Sequence, residues 1–117
     1  MKKIGFGFMV LCAVVPLVLA VSATAAEKFP SKRITYKICF NPGGESDITA
    51  RFQEAALKKA LGVDVAITYQ VGGGGALCWA ELVKSNPDGY TIAGHNLPHT
   101  VLQPLEMGNA GYNTLDL

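Results

Sequence analysis

The chain has 117 residues, half of them hydrophobic, and a formal charge of +1 from ten Lys and Arg against nine Asp and Glu. With no basic patch or stripe, that balance argues against nucleic acid as a partner. Much of the apolar content is concentrated in the first 26 residues.

Met1-Lys2-Lys3 is a short basic start, Ile4 to Val21 is almost wholly apolar, and Ser22-Ala23-Thr24-Ala25-Ala26 supplies the small residues of a cleavage site. Residues 1–26 therefore read as a secretory signal peptide cut after Ala25 or Ala26. An uncleaved anchor is the alternative, since the run approaches the ~20 residues that span a bilayer. Pro16 and the Ala-rich exit favour cleavage. Cys12 follows Leu11, whereas a lipid-attachment cysteine normally follows a small residue. Removal of Lys2 and Lys3 takes the formal charge from +1 to −1. What remains, 27–117, is short beside the ~100–150 residues typical of an α/β domain. Gly111 to Leu117 also ends in mixed apolar sequence, and a truncated part of a longer protein is expected.

After a polar lead-in containing Pro30, the run Ile34 to Phe40 is rich in β-branched and aromatic residues and predicts a strand buried on both faces. Asn41-Pro42-Gly43-Gly44-Glu45-Ser46-Asp47 follows as a turn into a helix. Such a turn leaves backbone N–H groups without intrahelical partners, which makes an anion site. Taken alone, two glycines before a helix also make a plain tight turn. Ser46 or Asp47 is the expected cap, and the helix should end at Leu61 with Gly62 as its stop. Ile48, Phe52, Ala55 and Ala56, widened by Leu57 and Leu61, form the apolar stripe expected to pack inward. Lys58 and Lys59 complement the helix dipole. Asp47 and Arg51, four apart, allow as the bland alternative a surface ion pair worth at most about 0.5 kcal/mol. Asp47 would repel a bare anion, so capping, bracing, ordering a water or meeting a cationic ligand group are its expected roles.

Val63 to Tyr69 alternates apolar and polar residues and predicts a second strand. Gly72-Gly73-Gly74-Gly75 comes next. Each glycine costs about 0.5–1 kcal/mol on ordering relative to alanine, so a run of four persists where backbone takes positive φ or comes close to something. A flexible linker is the bland alternative. A second helix is expected from Gly75 to Ser85, stopping before Asn86-Pro87-Asp88-Gly89. Trp79 on this helix reads as core packing. Tyr90 to Gly94 predicts a short third strand, His95 to Pro98 a loop, and His99 to Leu105 a helical turn ended near Pro104.

The order β-α-β-α-β implies α/β architecture, a parallel βαβαβ unit with right-handed crossovers. In open α/β sheets ligands bind at the carboxyl ends of the strands. Here those ends are Asn41–Asp47, Gln70–Ala76 and His95–Pro98, three loops on one edge. His95 is a candidate to face that cleft, though a loop histidine is commonly just solvated. The glycines lack the Gly-x-Gly-x-x-Gly spacing of a dinucleotide turn, and neither loop runs into Lys-Ser or Lys-Thr as a P-loop does. No serine lies in a Gly-x-Ser-x-Gly elbow, so no catalytic residues are assigned. Metal-ligand spacing is absent too. Cys39 and Cys78 remain after cleavage. They are either one disulfide, as an exported chain allows, or two separate buried thiols.

Four blocks, in order and spacing, resemble one known family. They are Phe29-Pro30-Ser31-Lys32-Arg33-Ile34-Thr35, Pro42-Gly43-Gly44-Glu45-Ser46-Asp47-Ile48-Thr49-Ala50-Arg51, Gly72-Gly73-Gly74-Gly75 and Pro87-Asp88-Gly89-Tyr90-Thr91-Ile92. The chain is similar to the extracytoplasmic solute receptors of tripartite tricarboxylate transporters, the Bug or TctC-like proteins. The resemblance implies a periplasmic binding protein of two α/β lobes closing on a small carboxylate, of which this chain would supply the first half of one lobe. It implies that the two glycine loops, here Asn41–Asp47 and Gly72–Ala76, hold the carboxylate through backbone N–H groups and ordered water. Candidate ligand-binding residues are therefore Asn41, Gly43, Gly44, Ser46, Asp47, Gly73, Gly74, Gly75, Ala76, His95 and Asn96. The implied partners are the carboxylate and the membrane subunits of the transporter. No cofactor is implied, and a monomer is expected. The chain departs from the family pattern at Asn41, where an apolar residue or proline is usual, at Val71 (proline), at Cys78 (glycine) and in Gly94-His95-Asn96-Leu97-Pro98-His99, a loop usually rich in Ser, Thr and Gly. An exported α/β enzyme acting on an anionic substrate, or a nonfunctional remnant, are the alternatives.

Overall fold

The structure, a computed structural model, describes residues 28–117, and the signal peptide expected over 1–26 lies outside them. Three strands, β1 (Ile34–Ile38), β2 (Val65–Tyr69) and β3 (Thr91–Ala93), alternate with helices α1 (Glu45–Leu61) and α2 (Ala76–Leu82). A third helix, α3 (His99–Met107), follows β3. Both pairings are parallel, in the order β2-β1-β3, with Ile34 opposite Val65 and Tyr36 opposite Ile92. The parallel α/β unit is thus as expected, with strand and helix ends displaced by one to a few residues.

Successive strand side chains point to opposite faces, and β1 shows how the layers divide. The Tyr36 hydroxyl donates to Gln53 of α1 at 2.8 Å, whereas the Lys37 ammonium pairs with Glu81 of α2. The two helices therefore cover opposite faces of the sheet. Ile34, Ile38, Val65 and Ala50 are buried on the α1 side. On the α2 side a second cluster joins Cys39, Ala76, Cys78, Trp79, Ala110 and Tyr112. The Trp79 ring meets Phe40 and Tyr112 edge-on, with centroids 6.1 and 5.9 Å apart.

The inward stripe expected on α1 is corrected by the structure. Ile48 and Phe52 are 51% and 79% exposed, and Ala55 and Ala56 are exposed as well. The residues buried against the sheet are Asp47 and Ala50, with Leu57 and Leu61 half-buried behind them. Apolar side chains occupy more than one side of this helix, and a three-strand sheet covers only one. The small Ala50 faces it, which lets helix and strands approach closely. Beyond β3, Ala56, Leu57 and Ala60 line an open groove of ≈ 480 Å³ with Tyr36, Ile92 and Ala93.

The helical turn expected to end near Pro104 instead runs on to Met107. Proline has no N–H for the carbonyl four residues back, which here is that of Thr100. The Thr114 hydroxyl takes its place, donating to the Thr100 carbonyl at 2.8 Å. A side chain from the following 3₁₀ turn, Thr114–Asp116, thus replaces the bond that Pro104 cannot make. Among the described residues no helix is long and apolar enough to cross a membrane.

Candidate ligand-binding site

All three loops lie at the carboxyl edge of the sheet, because the strands are parallel and each loop follows one of them. The first loop opens α1. Its N-cap is Gly44 and the helix begins at Glu45, so neither Ser46 nor Asp47 is the cap residue and no side chain caps the helix end. The amides of Glu45, Ser46 and Asp47 form the first helical turn, where intrahelical acceptors are lacking. Gly43 takes φ +83°, open to glycine and strained for other residues.

Asp47 is the third helical residue and reaches back to this turn. Its carboxylate accepts the Gly43 amide at 2.7 Å, much as the acidic member of a capping box bonds the chain before the helix. The other oxygen accepts the Tyr69 hydroxyl at 2.7 Å and the Arg51 Nε at 2.9 Å, and Arg51 Nη2 donates to the Tyr69 oxygen at 2.8 Å. Asp47 is 4% exposed, so its i,i+4 pair with the mostly exposed Arg51 is one leg of the brace expected of it. The Gly43 amide, the Tyr69 hydroxyl and the Arg51 charge hold its carboxyl below the ordinary carboxylate range. Tyr69 shifts upward in turn, chiefly because its proton is held by Asp47. The tyrosine therefore stays a donor, and the end of β2 is tied to the start of α1.

In the second loop all four glycines have positive φ, from +56° at Gly73 to +149° at Gly72. Gly75 and Ala76 are buried, and their amides donate within the turn to Gly72 and Gly73 carbonyls. A Cβ on Gly75 would lie 2.6 Å from the Trp79 ring, so the backbone rests directly on the indole. Gly73 and Gly74 are the exposed members, and their carbonyls accept from Gln103 Nε2 at 3.2 and 2.9 Å. The Tyr112 hydroxyl donates to Gln103 Oε1 at 3.3 Å.

The third loop reaches back to the first. Asn96 Nδ2 donates to Ser46 Oγ at 2.9 Å, and His95 Nε2 shares a 2.8 Å hydrogen bond with the buried Thr100 hydroxyl. Between these loops lies a cavity of ≈ 230 Å³ lined by Glu45, Ser46 and Thr49 on one side and Gly94, His95 and Asn96 on the other, with Tyr36 and Gln53 beneath. The structure thus brings Ser46, His95 and Asn96 to one cavity. Asn41, Gly43 and Gly44 are exposed but do not line it, and neither do Asp47 or Gly73 to Ala76. The second loop is instead joined at its base, where Cys39 and Cys78 form a disulfide with Cα atoms 5.2 Å apart.

Tyr69, Gln103 and Trp79 were not among the predicted site residues, yet each holds a loop. A polar Gln103 between the apolar Leu102 and Pro104 is the signal that would have exposed one of them. Among the described residues no group of three or more His, Cys, Asp or Glu is arranged to hold a metal ion.

No family model matches the chain. Sequence relatives do. A UPF0065 protein of Bordetella pertussis is 33% identical over 97 residues, covering 82% of this chain and 30% of the relative. Protein BugT of the same organism is 33% identical over 86 residues, covering 70% of this chain and 26% of BugT. Among solved structures, one described as a periplasmic transporter superposes with a TM-score of 0.69 at 30% identity over 74% of this chain and 29% of its own. An R. palustris protein, Rpa4515, solved with adipate, gives a TM-score of 0.62 at 26% identity, over 74% of this chain and 29% of its own. The fold is that of part of a periplasmic binding protein. Its sequence relatives are UPF0065, or Bug-family, proteins. The chain spans about a third or less of the length of the curated relatives it matches.

Proposed function

We propose that this chain carries the carboxylate-gripping half-cleft of an exported solute receptor, which passes its ligand to a tripartite tricarboxylate-type transporter. The observation that carries the reading is the meeting of an uncapped α1 N-terminus with the His95–Asn96 loop across one cavity. A helix N-terminus offers aligned amides and a partial positive charge to an anion. Among the relatives, the Rpa4515 structure contains adipate, a dicarboxylate, which supports the same ligand class here.

In this reading the amides of Glu45 to Asp47 and the Ser46 hydroxyl receive one carboxylate, while Gly73 and Gly74, held by Gln103, lie outside that cavity. Asn96 and His95 meet the polar remainder of the ligand. Gly43 and Asp47 keep the turn in shape. Capture needs no bond-making step, in keeping with relatives named as binding and transport proteins. Export would remove 1–26, so N-terminal sequencing of the periplasmic protein should begin at Ala26 or Glu27. A sequence beginning at Met1 would refute processing.

A panel of citrate, adipate, succinate and benzoate tests the ligand class by thermal denaturation. A ligand at about 100 times its Kd adds about 2.7 kcal/mol to stability. One member should raise the Tm by several degrees, and no shift across the panel would overturn the proposal.

A further inference from the structure

Trp79 is the only tryptophan of the chain, 1% exposed, and the receptor reading gives it no part in ligand contact. Its position is nevertheless central to all three loops. Gly75 of the second loop rests on its six-membered ring. Its indole N–H donates to the Gly94 carbonyl at 2.9 Å, at the start of the third loop. Its neighbour Cys78 is bonded to Cys39, one residue past β1 and two before Asn41 of the first loop. Cys39 Sγ also lies 3.8 Å from the Gly94 carbonyl. Phe40 closes the node, touching both Trp79 and His99 edge-on.

We propose that the Cys39–Cys78 bond and the Trp79 indole form a positioning node that holds the three carboxyl-edge loops in one register. Its value for ligand capture rests on the receptor reading, whereas its effect on the loops does not. The physical basis is the backbone each loop presents. The glycines of both turns have no side chains to pack, so beyond the Asp47 and Gln103 contacts their rest positions depend on what lies beneath. The disulfide sets the first loop relative to α2, the ring sets the second, and the indole N–H sets the third. Trp79, Cys39 and Cys78 are positioning residues: no ligand need touch them.

Amide hydrogen exchange on the purified protein, oxidised and then reduced with a phosphine, tests this without any ligand. Opening the bond should speed exchange at the hydrogen-bonded loop amides of Gly43, Gly44, Gly75 and Ala76 about ten-fold, while amides of β1 and β2 change less than about two-fold. Equal acceleration of loops and strands would show a bond that merely adds global stability and would overturn the proposal. Unchanged loops would overturn it too. Trp79→Phe supplies a second arm: it keeps a ring under Gly75 but loses the bond to Gly94. It should speed exchange at the Gly94 amide and leave those of Gly75 and Ala76 protected, and the reverse pattern counts against the node. Citrate and adipate titrations of both redox forms separate the two ideas. If neither form binds, the receptor reading fails, and the exchange pattern still decides the node. If both forms bind one acid equally, the node has no part in capture.

Discussion

The two glycine turns sit side by side at one sheet edge and are held by opposite chemistry. The first, at Gly43 and Gly44, is clamped by charge: a buried Asp47 carboxylate gathers the Gly43 amide, the Tyr69 hydroxyl and the Arg51 guanidinium. The second, at Gly72 to Gly75, is clamped by neutral groups: the Trp79 ring below and the Gln103 amide at its side. A charge clamp responds to pH and to any anion arriving next to it. A neutral clamp does neither, but depends on close packing. The pairing teaches how a small α/β unit presents bare backbone to an anion while placing a carboxylate close by. Asp47 is spent on three donors before any ligand arrives.

Packing should give the larger effect when disturbed. Gly75→Ala forces a left-handed alanine, which costs about 1–2 kcal/mol. It also drives a methyl into the indole, for about 1–3 kcal/mol more. A loss of about 3 kcal/mol, a Tm fall of roughly 15 °C for a domain of this size, is expected in thermal denaturation. Gly43→Ala is the matched control. Its φ is +83° but nothing lies within 4 Å of the new methyl, so only the left-handed cost of about 1–2 kcal/mol applies. Equal losses for the two variants would mean that Trp79 does not support the second turn.

The charge clamp breaks differently. Because the folded pKa of Asp47 lies below its unfolded value, the clamp stabilises fully above the ordinary carboxylate range. That contribution is lost as pH falls through the lower, folded value. Asp47→Asn keeps the volume but offers one acceptor where three donors converge, and its own amide would face a donor. The Tm should fall by several degrees at pH 7, and the difference from the parent should shrink as pH falls below the ordinary carboxylate range and the parent loses its own charge. A gap that stays constant over that range would remove Asp47 from the acid response.

How much of this was legible beforehand follows the range of each interaction. The α/β order and parallel pairing were readable because they rest on local pattern: the β-branched run at Ile34–Ile38, the Gly62 stop and the Pro87-Asp88-Gly89 turn. The α1 stripe misled because Ile48 and Phe52 have helical spacing whichever way the helix is turned. Only the small Ala50 and the buried Asp47 show which side meets the sheet. The reach of Thr114 to the Thr100 carbonyl, which carries α3 past Pro104, spans 14 residues and leaves no local mark. The same holds for Tyr69, 22 residues from Asp47.

The smallest and sharpest test is Gln103→Ala. Gln103 is half-buried on α3, 29 and 30 residues from the carbonyls it serves. Removing it takes away two hydrogen bonds from exposed carbonyls that water can replace, so the net cost should be about 1 kcal/mol. Its local effect should exceed that figure, since the carbonyls of Gly73 and Gly74 are what Gln103 grips and the glycines have no side chains to add restraint. Exchange at Gly75 and Ala76, whose amides bond the Gly72 and Gly73 carbonyls, should rise several-fold while Gly43 stays protected, because the charge clamp does not pass through α3. Loosening of both turns together would show that the clamps share one support. In that case the contrast between charged and neutral anchoring would describe two contact lists, with a single mechanical unit beneath them.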